Sequence, residues 1–168
     1  MVLKSEFIEK LRKEPGFLVK LYEGPSRLGD WAEAGNIKLH MKYKPVVAVP
    51  EKNSLLPDFL RETVVDYTVE SVHIQGISLS DFHELPFFEE ELYWMAKERG
   101  MKSVFERRLY KNPAARLCGD IEVTDDYTPE KLVSELVRFN NYQNDIWYQL
   151  CDAKKNALKV YPRHSKEE

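Results

Sequence analysis

Apolar and polar residues alternate most regularly in residues 37–44. Ile37, Leu39, Met41 and Tyr43 fall on one side of an extended chain, and four polar residues fall on the other: Lys38, His40, Lys42 and Lys44. Residues two positions apart in a strand point to the same face, so this pattern predicts a β-strand with one buried and one exposed face. Antiparallel sheets commonly bury only one face, which favours an antiparallel sheet.

Four other segments have strand-like patterns: residues 17–22, 64–79, 102–111 and 116–124. In the second of them the apolar face shifts after Glu70 and again after Gly76, which is typical of a bulge or a bend. The last two are separated by a short turn and predict a β-hairpin. Pro45 interrupts the pattern after residue 44, and residues 46–49 predict either a bent continuation or an edge strand.

Helical patterns occur in residues 6–13, in residues 86–99 and after Pro129, and residues 54–62 predict a short helix or a turn. Ser5 is suited to cap the first helix. Thr128 and Pro129 form a cap and a first-turn proline, which is a strong start for the last helix. The polar residues 140–144 leave two alternatives open, one continuous helix or a helix with a kink or break.

The order of these elements predicts an α+β fold. Strands occur in runs and do not alternate with helices, which favours a mostly antiparallel sheet of about five or six strands with helices packed on one face and a long C-terminal helix. We expect a single domain over residues 1–160 and a flexible tail over residues 161–168. Residues 24–36 contain three glycines and a proline and predict a long surface loop, with Trp31 either packed as its anchor or exposed to a ligand.

Charged residues are sorted into blocks along the chain. Residues 97–116 carry seven positive and two negative side chains, whereas residues 120–135 carry one positive and six negative. Residues 81–91 add five acidic side chains without any Lys or Arg. The blocks are hidden in a net charge of only −3. Such blocks influence association and the choice of partner rather than the fold.

Several classes of protein are disfavoured by the sequence. The two cysteines, Cys118 and Cys151, are too few for a disulfide framework, and no CxxC pair indicates a structural zinc site. Glu6, Glu9 and Glu14 interrupt the apolar core that a signal peptide needs. No run of about 18 apolar residues predicts a membrane span. We therefore expect a cytoplasmic protein with no membrane contact and no cofactor.

One face of the strand at residues 37–44 is basic enough to fit nucleic acid. The candidate residues are Lys38, His40, Lys42, Lys44, Arg107, Arg108 and Lys111, with Tyr110 or Phe105 available to stack on bases. Arg107 and Arg108 point to opposite faces of a strand, so they do not join one patch. The isoelectric point near 5.9 weighs against nucleic acid. The alternative is a solvated face whose lysines pair with nearby acids or keep a sheet edge from aggregating.

The densest group of potential metal ligands is Asp81, His83 and Glu84, followed by the glutamates at 89–91. Carboxylates of this kind suit a hard cation such as Mg²⁺ or Mn²⁺. The spacing matches no known ligand pattern, and the three glutamates already suit the positive end of a helix dipole. We assign no metal ligand.

Candidates for proton transfer or nucleophilic attack are also weak. His73 lies close in sequence to Asp66 and Glu70, but regular alternation puts these acids on the opposite face of the strand. Cys118 is predicted to face outward beside Arg116, which would favour the thiolate, yet no histidine adjoins it. Cys151 is expected to be a packed thiol. We assign no catalytic residue.

The last helix carries the clearest signal for a partner. Its aromatic residues Phe139, Tyr142, Trp147 and Tyr148 cannot all face one core, and Trp and Tyr are enriched at binding hot spots. The hypothesis from sequence is therefore a non-catalytic interaction or regulatory protein that binds a protein partner or a second copy of itself through these aromatics and its charge blocks. The alternatives are a nucleic-acid-binding protein that uses the basic strand faces and a metal-dependent hydrolase or transferase.

Overall fold

The computed structural model describes residues 1–22, 29–48, 63–106 and 114–160 and has the predicted α+β fold. Its strands are β1 (Val19–Tyr22), β2 (Gly29–Ala34), β3 (Ile37–Ala48), β4 (Thr63–Ser78), β5 (Lys102–Glu106) and β6 (Ala114–Glu122). They form an antiparallel sheet in the order β1-β2-β3-β4-β6-β5. The helices of the described ranges are α1 (Lys4–Lys13), α2 (Phe88–Glu98) and α3 (Pro129–Val160), with a 3-10 turn at Ser80–Phe82.

The chain divides into two compact units. The first comprises residues 1–74 and 120–136, and the second comprises residues 75–119 and 137–168. The elements β4, β6 and α3 contribute residues to both units. The single domain expected over residues 1–160 stays a prediction. The expected tail at 161–168 and the short helix at 54–62 lie outside the described residues.

In the first unit, β3 has the alternation that its sequence predicts. Its apolar residues are buried and its lysines are exposed from Ile37 to Lys44, and the strand continues past Pro45 to Ala48. Phe7, Ile8 and Leu11 of α1 are buried, as predicted. Their burial and that of the β3 apolar residues place the core of this unit on one face of its strands.

The prediction of a loop over residues 24–36 is wrong for residues 29–34. Gly29–Ala34 is a strand, β2, that pairs with β3 so that Ala34 stands opposite Ile37. A tight turn at Gly35, whose φ is 58°, joins the two strands. Gly29 is the first residue of the strand and Gly35 follows its last, so neither glycine interrupts it, and the small residues Ala32 and Ala34 carry a weak strand signal. Residues 24–28 of the expected loop lie outside the described residues.

Ser5 does not cap α1, because the helix begins at Lys4 and Leu3 precedes it. Leu3 instead pairs with Thr68 of β4, and the backbone N–H of Val69 donates to the carbonyl of Val2 at 2.8 Å. The hydroxyl of Ser5 donates to Asp66 at 2.5 Å. The start of α1 is therefore held by β4 rather than by its own cap.

The predicted shift of the apolar face in β4 is confirmed. Val69 is buried, and the next buried residues of the strand are Val72 and Ile74, so the buried positions change phase after Glu70. An odd spacing between buried residues requires an irregular step in the pleat. After the step, His73 points away from the buried side.

In the second unit, β5 and β6 pair as predicted, with Lys102 opposite Cys118. The prediction that Cys118 faces outward is wrong, since this residue is only 8% exposed. Leu117 is buried as well, so β6 is covered on both faces at this point. The helix expected from Pro86 begins at Phe88, after Phe87 in a left-handed conformation with φ 59°.

The last helix is one continuous element, α3, and the polar residues 140–144 do not break it. It begins as predicted, with the Thr128 hydroxyl accepting a hydrogen bond from the Lys131 N–H at 3.1 Å. Gln143 is completely buried and its side-chain carbonyl accepts a hydrogen bond from the Ile77 N–H at 3.0 Å. The polar stretch thus anchors the helix to the end of β4 within the second unit.

Candidate functional site

The outer face of β1, β2 and β3 carries three aromatic side chains side by side. Tyr22 stands directly opposite Trp31, and Trp31 stands directly opposite His40. Directly opposite residues of neighbouring strands project from the same face of a sheet. Their neighbours along β2 and β3 are the buried residues Ala32, Leu39 and Met41, so the three aromatics lie on the uncovered face. We call Tyr22, Trp31 and His40 the aromatic row.

The rings of the aromatic row are accessible. Tyr22 is 51% exposed and Trp31 is 43% exposed. The centroids of the Trp31 and His40 rings are 4.6 Å apart with 35° between their planes. Such a cross-strand contact stabilises the β2–β3 hairpin and also restricts the ring positions. The row is therefore a fixed and accessible surface on which a planar group can stack.

Lysine side chains flank the aromatic row on the same face: Lys20, Lys38, Lys42 and Lys44. Lys20 stands opposite Glu33, and Glu33 stands opposite Lys38. In the part of the chain that the structure describes, no ion pair joins these four lysines to a carboxylate. The outer face of β1–β3 thus has four positive side chains and one negative one, and we call these lysines the lysine set.

Farther across the first unit, β4 and β6 bring a histidine and a carboxylate together. Nδ1 of His73 lies 2.6 Å from Oδ1 of Asp120. Both side chains are partly exposed, 38% for His73 and 57% for Asp120. The partner of His73 is therefore Asp120, and neither Asp66 nor Glu70 has a hydrogen bond or ion pair with it. A carboxylate bound to Nδ1 orients an imidazole for proton transfer at its other nitrogen.

A groove of about 560 Å³ lies between α1 and the strands of the first unit. Several of its charged residues form ion pairs. Lys4 forms an ion pair with the buried Asp30 at 2.5 Å, and Lys13 pairs with Glu9 at 2.9 Å. The ammonium of Lys4 also lies 5.1 Å from the centroid of the Tyr43 ring. The Lys4–Asp30 ion pair joins α1 to β2, whereas the Lys13–Glu9 pair lies within α1, and Arg12 also lines the groove.

Asp66, at the rim of this groove, has a lowered pKa. Its partial burial acts to raise the pKa, but hydrogen bonds from the Ser5 hydroxyl and from the backbone N–H groups of Tyr67 and Ser5, together with the charge of Lys4, lower it below the ordinary value of 3.8. This carboxylate is therefore a structural acceptor for α1, and it is not placed for proton transfer.

The four aromatic residues of α3 have different surroundings. Phe139 is 7% exposed and belongs to the core, and the Trp147 ring packs edge-on against Phe82 with centroids 4.9 Å apart. Tyr142 is half-buried, whereas Tyr148 is 67% exposed. Core packing thus occupies two of these four aromatic residues, Phe139 and Trp147.

Three exposed aromatics of the second unit lie at α2, where the sequence pattern did not single them out. Phe87, Tyr93 and Trp94 are exposed, and the Tyr93 and Trp94 rings meet edge to face at 5.4 Å. The ammonium of Lys97 lies 5.2 Å from the centroid of the Trp94 ring. Their helical spacing relative to the buried Phe88 and Leu92 was the signal that could have found them.

Other candidates from sequence are separated or occupied. Arg107, Arg108, Tyr110 and Lys111 lie outside the described residues. Nδ1 of His83 lies 2.6 Å from the Ser80 carbonyl, and the Lys154 ammonium donates to the carbonyl of Asp81 at 3.2 Å. Within the described ranges, no three His, Cys, Asp or Glu residues are grouped to hold a metal ion. Nor is any helix of those ranges long and apolar enough to cross a membrane.

The aromatic row was only partly visible in the sequence. The alternation of β3 predicts that His40 and its flanking lysines share one face, but the glycines around Trp31 predict a loop, and no local pattern distinguishes Tyr22. The row exists because of the pairing of β1 with β2 and of β2 with β3. Predicting that pairing requires the tight turn at Gly35. The sequence signal for this turn is that Gly35 lies only two residues before the first residue of β3, Ile37.

Comparisons with protein-family models, with curated proteins and with solved structures found no match. The function is therefore argued from the geometry of the two units.

Proposed function

We propose that the protein binds single-stranded nucleic acid on the outer face of β1–β3. The observation that carries this proposal is the aromatic row, because its three rings stand in register on an uncovered sheet face beside four lysines. Single-stranded nucleic acids are bound by stacking bases on aromatic side chains and by placing the phosphates near positive charge. Both requirements are met on this one face.

The dimensions of the row suit a short stretch of nucleotides. Neighbouring strands of a sheet are about 4.8 Å apart, so three strands spread the rings over roughly 10 Å. That length accommodates two or three successive bases, each of which can contribute about 1–3 kcal/mol by stacking. Lys38 and Lys42 lie two positions to either side of His40 along β3, where they can approach the phosphates.

The local charge supports the proposal despite the acidic character of the whole chain. The chain has a net charge of −3, whereas the outer face of β1–β3 has four lysines and the single acid Glu33. Phosphate binding depends on charge within about 10 Å at ordinary salt, since more distant charges are screened. The acidic blocks elsewhere in the chain therefore do not prevent binding at this face.

Unpaired bases are the expected ligand rather than a duplex. A ring of the aromatic row can contact the plane of a base only if that base is not stacked inside a helix. The same aromatic surface tolerates any base, so we expect little sequence preference.

The proposal is tested with fluorescently labelled oligonucleotides of about eight nucleotides, a length within the range of single-strand sites. Anisotropy titrations of a single strand and of the same sequence as a duplex should show tighter binding of the single strand. Trp31→Ala should weaken binding about 5- to 150-fold, which corresponds to the loss of one stacked base. Tyr148→Ala is the matched control, because it removes an exposed aromatic from another element and should leave the affinity unchanged. Absence of binding, or equal binding by Trp31→Ala, would refute the proposal.

A second candidate is the protein–protein interaction suggested by the sequence. It is favoured by the exposed aromatics of the second unit, Phe87, Tyr93 and Trp94 at α2 and Tyr148 on α3. Exposed Trp and Tyr are typical of binding hot spots, and the acidic residues 89–91 beside them would favour a basic partner. Light scattering at increasing concentration tests self-association. Formation of a dimer that is dissociated by Trp94→Ala would support this function. A monomer at all concentrations would rule out binding to a second copy of the chain.

A further inference from the structure

We propose that the outer face of the first unit also cleaves RNA, with His73 as the general base. The inference rests on the proposed function, because it requires a single strand to lie across β1–β3. It names RNA as the substrate, and it assigns a task to the one histidine–carboxylate pair found among the described residues. No metal ion is needed for this reaction.

His73 has the environment that a general base requires. Because a carboxylate only accepts hydrogen bonds, the Nδ1–H of His73 donates a hydrogen bond to Oδ1 of Asp120 at 2.6 Å. The neutral imidazole then carries its lone pair on Nε2. Within the described ranges Nε2 makes no hydrogen bond, and the side chain is 38% exposed. Asp120 thus acts as a positioning residue that fixes the ring and its tautomer.

His73 lies next to the lysine set rather than at a remote place on the sheet. The Tyr43 and Tyr67 rings, one on β3 and one on β4, are in contact with centroids 5.7 Å apart. Because β3 and β4 are antiparallel neighbours, six residues along β4 and six residues back along β3 reach nearly the same level of the sheet, and the irregular step in β4 after Glu70 moves the match by one residue, from Ile37 to Lys38. His73 is therefore level with the Ile37–Lys38 end of β3, and neighbouring strands are about 4.8 Å apart.

On this placement Lys38 and His73 are neighbours across β3 and β4, and a phosphate of the bound strand lies over the two side chains. Lys38 is exposed on the outer face, two residues from His40 of the aromatic row. A base stacked on the row would place its ribose and phosphate beside Lys38. The ammonium would then stabilise the negative charge that develops on the non-bridging phosphate oxygens during attack.

The reaction is an internal phosphoryl transfer. Nε2 of His73 accepts the proton of the ribose 2′-hydroxyl, and the 2′-oxygen forms a bond to the adjacent phosphorus. The bond from phosphorus to the 5′-oxygen of the next nucleotide breaks, and this oxygen takes a proton from water. The resulting hydroxide is neutralised by the proton held on His73. The products are a 2′,3′-cyclic phosphate and a free 5′-hydroxyl, and DNA is bound intact because it lacks the nucleophile.

The test uses RNA and DNA oligonucleotides of one sequence in the presence of EDTA, with product ends identified by mass spectrometry. We expect cyclic phosphate and 5′-hydroxyl ends from RNA, no cleavage of DNA, and no cleavage of 2′-O-methyl RNA. His73→Gln should lose at least about 100-fold in rate, the lower limit for general base catalysis. Its affinity for RNA should stay within about twofold, since the imidazole is not part of the stacking surface.

Two further variants separate catalysis from structure. His83→Gln is the matched control, because His83 is exposed but its Nδ1 lies against the Ser80 carbonyl rather than a carboxylate. It should cleave at the wild-type rate. Asp120→Asn should lower kcat with KM unchanged, whereas a purely structural role would alter RNA binding or folding as well.

The outcomes distinguish the two proposals. RNA that binds at a Trp31-dependent site and stays intact would overturn the cleavage inference and leave the proposed function standing. Failure to bind any single strand would overturn both. Cleavage that is unchanged in His73→Gln, or that occurs with 2′-O-methyl RNA, would contradict the assigned mechanism. The 2′-O-methyl substrate provides this test in the wild-type protein even where a variant does not fold.

Discussion

The aromatic row of β1–β3 and the aromatic residues of α3 contain the same kinds of side chain in opposite settings. On α3, Phe139 is buried and Trp147 packs against Phe82. On the strands, Tyr22 and Trp31 expose about half of their surface beside lysines. The helix uses two of its four aromatic residues for packing, whereas the sheet presents its row to solvent. An aromatic-rich segment is therefore a poor guide to a binding site until its pairing and burial are known.

The geometry of each element explains the difference. Successive helical residues turn by about 100°, so aromatics at neighbouring positions spread around α3 and several of them meet the core. Directly opposite residues of neighbouring strands keep to one face, so β1, β2 and β3 gather Tyr22, Trp31 and His40 on a single surface. We therefore expect the packed aromatic residues of α3 to stabilise the fold and the aromatic row to bind a ligand.

The largest expected effect concerns Phe139, the buried aromatic residue of α3. Phe139→Ala should lower the free energy of unfolding by about 3–5 kcal/mol, because it removes a buried ring and leaves a cavity. Tyr148→Ala, on the same helix but exposed, should change it by less than about 0.5 kcal/mol. Urea denaturation followed by circular dichroism measures both. Similar values for the two variants would contradict the distinction between packing and exposed aromatics on α3.

The next effect concerns the polar anchor of α3. A Cβ at Gly76 would overlap the buried Oε1 of Gln143 and would lie 3.0 Å from the Leu117 carbonyl oxygen. Gly76→Ala should therefore destabilise the protein by about 1–3 kcal/mol through overpacking. In a Gln143→Ala background the main obstruction is absent, so the same substitution should cost less.

A double-mutant cycle in urea measures this coupling between Gly76 and Gln143. Additive effects of the two substitutions would show that α3 is not held at this point by the contact between them. In that case the packing of Phe139 and Trp147, rather than the contact made by Gln143, would have to hold α3 in position.

A smaller effect tests the lysine set. Replacing Lys38 and Lys42 together by Ala should reduce the slope of log affinity against log salt for a single strand by about 1.4, or about 0.7 for each phosphate that a lysine no longer neutralises. The matched control is Lys10→Ala with Lys155→Ala, which removes the same charge from exposed helical positions. Anisotropy titrations at several salt concentrations measure the slopes. An equal reduction by the control pair would indicate a general charge effect rather than a site on β1–β3.

The smallest effect concerns the carboxylate of Asp66. Unlike the residues of the lysine set, Asp66 has hydrogen-bond partners within the part of the protein that the structure describes. The pKa of Asp66 in the folded protein lies below the ordinary value of 3.8. A carboxylate of this kind stabilises the fold at pH values above 3.8. Its contribution to the free energy of unfolding disappears as the pH falls through the lowered pKa. Asp66→Asn should therefore reduce stability at neutral pH by less than about 1 kcal/mol, since the site is near the surface.

The pH dependence gives this prediction its sign. The difference in unfolding free energy between wild type and Asp66→Asn should be constant near neutral pH and should shrink as the pH falls below about 4, where the free carboxyl of an unfolded chain also becomes protonated. A difference that grows in acid would show that Asp66 is not held as a carboxylate by Ser5 and Tyr67.

Much of the fold could be predicted from local sequence. The alternation of β3, the start of α3 at Thr128 and Pro129, and the change of face after Glu70 all depend on neighbouring residues, and the structure confirms them. Local patterns predicted the pairing of β5 with β6, but they did not provide the pairing of β1 with β2 and of β2 with β3. The weak pattern of β2 hid Trp31 in an expected loop, and without β2 the aromatic row has no middle member.

The same limit applies to His73 and Gln143. The partner of His73 is 47 residues away in the chain, and the partner of Gln143 is 66 residues away. Nearby acids such as Asp66 and Glu70 were the only partners that spacing could suggest. The polar stretch around Gln143 looked like a helix break because its hydrogen bond to Ile77 joins two distant segments.

The most direct test of the central claim uses the indole N–H signals of Trp31, Trp94 and Trp147 in a ¹H–¹⁵N correlation spectrum of the wild-type protein. The three tryptophans report separately on the aromatic row, on α2 and on α3. On titration with a short single-stranded oligonucleotide, we expect the Trp31 signal to shift in proportion to binding and the Trp94 and Trp147 signals to stay in place. Shifts of Trp94 or Trp147 without Trp31, or no shift at saturating oligonucleotide, would contradict the account.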